Sequence, residues 1–271
     1  MYSVIIANKL IREVIPADTK STLLLSPMEF RVKYLMISLV QKETKFFESI
    51  DIMIPEFARY FGLSWGGKQT KSLAVSIKNL IENNYILDGK TIRWLSPEPH
   101  ISDGKIHLKL DDSLSPYLLK IKGNFTIYSY DSVSEFKSRY SYRIYEFLKS
   151  ADGMGFYKIS LDDAILLLGD GCCKTKCEFI KRVLNPALKE INNYSDITIK
   201  RRFHKPFGKP EHIWFSIRKK CDDSSQENVK YHNKSTADIK KNNIKDENLT
   251  PVDFVIDSRM KKIISDAKSS C

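Results

Sequence analysis

The stretch CCKTKCEFIKRVLNPALKEIN, residues 172–192, admits two readings, and the choice between them decides the fold. Three cysteines fall within six positions, as they do in metal sites, and five residues of the stretch are Lys or Arg. Take Ile180 as the centre of a helical face, at about 100° per residue. Val183, Leu184, Ala187, Leu188 and Ile191 then fall on the same side. Glu178, Arg182, Asn185 and Lys189 fall opposite, with Lys174, Thr175 and Lys181 near the flanks and Lys176 in the same basic start. Tetrahedral zinc needs four ligands, commonly in two pairs. CC-x3-C supplies three, and the histidines that could add a fourth, His204 and His212, stand in a different element. No metal is therefore expected, and the cysteines read as small residues at a helix start. An apolar stripe backed by a basic, polar outer side is what a helix needs to lie in a DNA groove. The expected DNA-facing set is Lys174, Thr175, Lys176, Glu178, Lys181, Arg182, Asn185 and Lys189. Arg182 has the chemistry for a guanine edge and Asn185 that for an adenine edge. An ordinary solvated helix face is the alternative.

Working outward, the basic character continues. DITIKRRFHKPFGKPEHIWFSIRKK, residues 196–220, predicts two strands around a Pro/Gly-rich tip. Lys200, Arg201, Arg202, Lys205 and Lys209 on this hairpin suit contacts to the DNA backbone. From residue 171 to 220 there are thirteen Lys and Arg against four acids, a net +9 out of +11 for the whole chain. A generic surface would scatter that charge. Upstream, ISLDDAILLLG predicts a helix with Ser160 as its N-cap, acids in the first turn and Gly169 at its end. Before it, SEFKSRYSYRIYEFLKS aligns Phe136, Tyr140, Ile144, Phe147 and Leu148 as an amphipathic helix. Helix, helix, turn, helix, hairpin is a winged helix-turn-helix.

The first half has the same order. In LLLSPMEFRVKYLMISLVQKE, Ser26 is an N-cap, Pro27 sits at the first helical position and Glu29 completes a capping box. IPEFARYFGLSWGGKQTKSLAVSIKNLIENNYILDGKTIRWL gives a short helix from about Pro55 to Gly62, a glycine turn, and a second helix over residues 69–83. A hairpin around Asp88-Gly89 follows, then a strand, KIHLKL. The outward side of the second helix carries Lys68, Thr70, Lys71, Ser72, Val75 and Asn79, a second and less basic DNA-facing set. GLSWGGKQ matches the G-x-x-x-x-G-K of a phosphate-binding loop. That loop needs a preceding strand and a Ser or Thr after the lysine. Gln69 follows here and the preceding segment is helical, so a helix-turn-helix turn is the better reading. The expected fold class is α+β: two tandem winged-helix domains in a degenerate pseudo-repeat.

Composition narrows the function. With pI about 9.2 and 42% hydrophobic residues, the chain can bury real cores and still favours a polyanionic partner. No apolar run approaches the roughly 20 residues that span a bilayer. The N-terminus MYSVIIANKLIREVIP lacks a basic region ahead of its apolar residues, so no signal peptide is expected. Five cysteines without a signal fit reduced thiols in a cytoplasm. The five histidines form neither His-x-His nor His-x-x-x-His, which removes the metal motif of rolling-circle nicking enzymes and that of zinc proteases. No catalytic residue and no cofactor are expected. Residues 222–271 are polar and read as a disordered tail, with a possible short helix in VDFVIDSRMKKIISDAK.

The runs KSRYSYRIYEFLKS, ISLDDAILLLG, FIKRVLNPALKEIN and HIWFSI, with ANKLI, LSPMEFRV and IPEFARYFGL before them, resemble the plasmid replication initiator (Rep) proteins of the iteron-binding, theta-replication family. RVLNPALKEIN is the most specific signature, and the family pattern carries the proline at Pro186, which propensity alone leaves puzzling. The resemblance spans about Val4 to Ile217. It implies an N-terminal winged-helix domain (residues 1–128) for dimerisation and secondary DNA contact, and a C-terminal one (residues 129–221) for main DNA binding, joined by an adjustable connector. It implies monomers on repeated origin sites in double-stranded DNA, dimers that repress the initiator's own gene, host helicase and primase as partners, and a cytoplasmic, bacterial setting. Its main recognition helix maps to residues 174–192 and its secondary one to residues 68–83. A dimeric winged-helix repressor without a replication role is the alternative.

Overall fold

The structure, a computed structural model, describes residues 3–18, 22–40, 44–64, 66–97, 100–102, 104–119, 121, 123–169, 173–205 and 211–220. The expected tail, Cys172 and Lys209 lie outside them. Strand β1 (Ser3–Ala7) leads through helix α1 (Asn8–Arg12) and strand β2 (Ile15–Pro16) to helix α2 (Pro27–Ser38). The start of α2 follows the capping-box reading. The Ser26 hydroxyl accepts from the Glu29 N–H at 3.2 Å, and the Glu29 carboxylate accepts from the Ser26 N–H at 2.8 Å. Strand β3 (Ile50–Met53), helix α3 (Ile54–Tyr60) and helix α4 (Gly67–Glu82) follow. Gly62 reverses the chain between α3 and α4 at φ +60°, the left-handed region where a side chain is strained. Strands β4 (Tyr85–Leu87) and β5 (Lys90–Ile92) are joined by Asp88 and Gly89, both at positive φ, as a two-residue primed turn requires. Strands β6 (His100–Ser102) and β7 (Lys105–Leu108), helix α5 (Ser115–Leu118), strand β8 (Phe125–Ser129) and helix α6 (Asp131–Ser134) complete this half.

The second half runs helix α7 (Arg139–Lys149), strand β9 (Phe156–Ser160) and helix α8 (Leu161–Gly169). The Ser160 hydroxyl accepts from the Asp163 N–H at 3.0 Å, the cap expected from sequence. Helix α9 (Lys176–Phe179), a π turn over Ile180–Leu184 and helix α10 (Asn185–Tyr194) then continue one another. Pro186 gives the reason for the π turn. It has no N–H for the Arg182 carbonyl, and its ring would strike that carbonyl in a regular α turn. The widened turn is closed instead by the Asn185 N–H on the Ile180 carbonyl. The helix begins at Lys176 with Thr175 as N-cap, so Lys174 lies ahead of it and not within it. Strands β10 (Ile197–His204) and β11 (His212–Lys219) close the half.

Pairing corrects one assignment. In the second half the sheet order is β10-β11-β9, so the hairpin after the recognition helix joins the strand before α8. In the first half the corresponding order is β6-β7-β3, read from the far edge. The wing is therefore the β6–β7 hairpin. The Asp88-Gly89 hairpin expected to be the wing pairs with β2 in a separate sheet. Its turn residues were read correctly, but turn chemistry does not say which sheet a hairpin joins. Strand β8 pairs with β1 throughout its length, and the expected boundary between residues 128 and 129 falls inside it.

Helix α7 is not amphipathic in place. Nine consecutive residues, from Ser141 to Lys149, are buried. One side packs on α10 and α8, the other on α2 and α1. Phe30 of α2 stacks on Tyr142 at 5.0 Å between ring centres, and Tyr34, Tyr128, Tyr145 and Phe136 extend the cluster edge to face. The charges buried in this seam are all engaged. Lys33 Nζ lies 2.7 Å from Glu146 Oε1 and within 5 Å of the rings of Phe30, Tyr34 and Trp94. Arg143 donates to the carbonyls of Ile11 at 2.9 Å and Leu167 at 3.2 Å. Lys149 bridges Asp152 and Asp196.

Candidate nucleic-acid interface

The recognition helix of the second half is fixed from both ends. Phe179, Val183, Leu184, Ala187 and Ile191 are each 2% exposed or less. Burying five such side chains holds the helix roll far more firmly than its surface charges could move it. The Asn192 amide donates to the Ile199 carbonyl at 2.9 Å and accepts from the Ile199 N–H at 2.7 Å, joining the helix to β10. Glu190 accepts from the backbone N–H groups of Lys137 at 2.9 Å and Ser138 at 3.3 Å, at the start of α7. The helix is thus tied to the wing on one side and to the central helix on the other.

With the roll fixed, the outward residues can be placed. Lys181, Arg182, Asn185 and Lys189 are exposed on the same face. Arg182 Nη1 donates to Glu178 Oε1, one turn earlier, and its side chain is 75% exposed. The guanidinium of Arg182 first, and then the Lys174 N–H, hold the Glu178 carboxyl below the usual carboxylate range. Asn185 Oδ1 accepts from Arg201 Nη2 on β10, so helix and wing share a polar contact at the exposed surface. Arg201 also lies 4.6 Å from the Phe203 ring. Lys200, Arg202 and Lys205 are exposed along the same hairpin.

Three residues of the expected set have local duties. The Thr175 hydroxyl caps the helix by accepting from the Glu178 N–H at 3.1 Å. Lys176 Nζ pairs with Asp162 of α8 at 2.9 Å. Glu178 accepts from the Lys174 N–H at 3.2 Å as well as from Arg182. Among the described cysteines Cys173 is buried and Cys177 exposed, and among the described residues no group of three or more His, Cys, Asp or Glu could hold a metal ion.

Helix α4 presents Lys68, Lys71, Ser72 and Val75 outward, Val75 at 57% exposure, over a core of Leu73, Ile77 and Leu80. Two expected members are drawn away. The Thr70 hydroxyl turns back to the Gly66 carbonyl at 3.3 Å. The Asn79 amide is half-buried and donates to Glu29 Oε1 of α2 at 2.8 Å. The segment before α4 is helix α3 and not a strand, so GLSWGGKQ lacks the geometry of a phosphate-binding loop. Sequence reading also passed over two exposed residues on the second sheet, Trp214 and Arg218. Strand alternation from Ile213 could have found both.

No helix among the described residues is long and apolar enough to cross a membrane. Residues 7–149 match the family described as "Initiator Replication protein, WH1", and residues 166–217 the one described as "Initiator Rep protein, WH2". Curated proteins gave no match. Among solved structures, the chain is similar to a crystal structure of domains 2 and 3 of RctB, at 13% identity and a TM-score of 0.39, over 71% of this chain and 80% of that one. A second structure of those domains, RctB-155-483, gives 15% identity and a TM-score of 0.40 over the same shares.

Proposed function

The chain belongs to the initiator replication protein family, with both of its winged-helix units, and from that premise we propose that it starts plasmid replication by binding repeated origin sequences in double-stranded DNA. The observation that carries the reading is the outward face of the helix from Lys176 to Tyr194. Lys181, Arg182, Asn185 and Lys189 stand exposed there, and Asn185 is joined to the basic strand β10 through Arg201. Side chains at such a face reach base edges, while Lys200, Arg202 and Lys205 neutralise phosphates beside it. Helix α4 would add a second, weaker contact through Lys68, Lys71, Ser72 and Val75, whose methyl groups suit a thymine methyl.

In this reading the protein acts by binding alone. The monomer occupies direct repeats, and a dimer joined through the first unit represses the initiator's own gene. Host helicase and primase are recruited to the opened origin. The division of labour is between residues 1–128 for self-association and residues 129–221 for the main DNA contact. Footprinting of the full chain on its cloned origin region tests this. Protection of direct repeats is expected, and protection of no repeated sequence would refute it. A supercoiled-plasmid assay with Mg2+ or Mn2+ should show no nicking.

A further inference from the structure

The sheet of the second half has an outer face of its own chemistry. Along β9, β10 and β11 alternate residues are buried, which leaves the intervening ones on the side away from the core. At the centre of that side is Trp214, 41% exposed. The strand register sets Arg202 opposite it on one flank and Lys158 on the other. Lys158 Nζ lies 5.8 Å from the centre of the Trp214 ring. The next rung places Lys200 and Phe156 on either side of Ser216, and Arg218 follows on β11. No outward residue of the three strands is acidic. Among the described residues Lys200, Arg202 and Arg218 have no ion-pair partner.

An indole standing in water amid cations, with no acid on its face of the three strands, is out of place on an ordinary surface. Duplex DNA makes poor use of it, because paired bases are stacked on one another and offer phosphates and edges but no open ring face. A single strand offers both a phosphate chain and unstacked bases. We propose that the outer face of β9, β10 and β11 binds single-stranded nucleic acid, with a base stacked on Trp214 and the flanking phosphates on Lys158, Lys200, Arg202 and Arg218. This is a different surface from the outward side of the recognition helix. Lys200 and Arg202 are shared with the proposed duplex contact, so Trp214 and Lys158 carry the test.

The full chain is titrated with fluorescein-labelled oligo(dT), oligo(rU), a random duplex of equal length and the origin duplex, and anisotropy is read. Trp214→Ala should weaken oligo(dT) binding about tenfold or more, and Trp214→Phe, which keeps a ring, should stay within about threefold. Lys158→Ala should shallow the salt dependence on oligo(dT) by about 0.7 in log–log slope. Both alanine variants should bind the origin duplex as the parent does, with unchanged melting temperature. Oligo(rU) bound more tightly than oligo(dT), and equally dependent on Trp214, supports the platform and marks RNA as its strand. Oligo(dT) binding indifferent to Trp214→Ala overturns the proposal, as does an equal loss on duplex and single strand. Loss of self-association in sedimentation, with oligonucleotide binding intact, also overturns it and makes the face a protein contact. An origin that shows no footprint while oligo(dT) binding still depends on Trp214 would refute the duplex reading and leave this one standing.

Discussion

Arg182 projects from the recognition helix with most of its side chain in water, and Glu178, one turn earlier, steadies it. The pair is exposed, so its worth to stability is small. Its effect is on where the guanidinium points before DNA arrives. Arg182→Ala should lose specific binding by about 1–3 kcal/mol, the range for a bidentate base contact, with little change on random duplex; competition titrations measure it. Glu178→Gln removes the one carboxylate on this part of the helix. Affinity for random duplex should rise, the ratio of specific to random binding should fall, and melting should not shift. A fall in both affinities would mean that Glu178 itself reads a base, by accepting from a cytosine amino group. Helical periodicity made the outward direction of Arg182, Asn185 and Lys189 legible in the sequence. It could not show that Thr175 is spent on a cap or Lys176 on Asp162, because those duties depend on which chain neighbour the fold brings alongside. Asn79 is the clearest case. Its angle on the helix wheel is right for solvent, but Glu29 arrives from α2 and takes its amide.

At the scale of elements, Asn192 is, with the Asn185–Arg201 contact, one of the ties that set the angle between recognition helix and wing. A single side chain satisfies both backbone groups of Ile199, at 2.7 and 2.9 Å. Asn192→Ala leaves a donor and an acceptor of β10 without protein partners, at a cost of about 1–3 kcal/mol. Asn192→Asp keeps the acceptor and should recover part of the loss. Thermal melting gives the stability, and the exchange rate of the Ile199 amide shows whether the loosening is local. An unchanged Ile199 exchange rate in Asn192→Ala would mean that β11 alone holds β10 in place. Helix and strand identity was legible because both periods are strong here. The wing of the first half was not. Asp88-Gly89 is the stronger turn signal, yet β3 selects the later hairpin as its partner, a pairing across more than fifty residues that no local pattern encodes.

At the scale of the molecule, the two halves meet through α7, and the meeting is both aromatic and charged. The sequence predicts an amphipathic helix here, with Phe136, Tyr140, Ile144, Phe147 and Leu148 aligned, but Arg143, Glu146 and Lys149 are buried as well. The first half packs on this helix and supplies Lys33, the Ile11 carbonyl and the Tyr128 hydroxyl as partners. The buried tyrosines of the seam should report its integrity in alkali. Burial pushes Tyr142 up to about 12, and it also holds Tyr145 well above the usual tyrosine range. A group whose folded pKa is raised adds stability below its unfolded pKa and loses it above. Stability should therefore fall from about pH 10 upward, with tyrosinate absorbance from the seam appearing together with unfolding. Absorbance that rises well before the fold opens would place these rings in contact with water.

The ion pair of Lys33 and Glu146 gives the sharper test of how the halves are held. Burial pushes the Lys33 ammonium down, while Glu146, 2.7 Å away, pushes it back up. Each charge is tolerated only because the other is present. Lys33→Met leaves the Glu146 carboxylate with the Tyr128 hydroxyl as its remaining partner, and Glu146→Leu leaves the ammonium against three aromatic rings. Either change alone should cost about 3–5 kcal/mol, because an uncompensated charge stays buried. The double variant removes both charges and keeps the volume, so it should recover most of that loss and could exceed the parent in stability. Denaturant unfolding of the four proteins closes the cycle. Costs that simply add would mean that the pair is solvated and the seam open in solution. If the double variant is stable but its origin affinity changes, the pair sets the angle between the two DNA-binding units and not only their cohesion. Unchanged affinity on single repeats alongside altered affinity on full sites would place that effect in the relative orientation of the helices from Gly67 to Glu82 and from Lys176 to Tyr194.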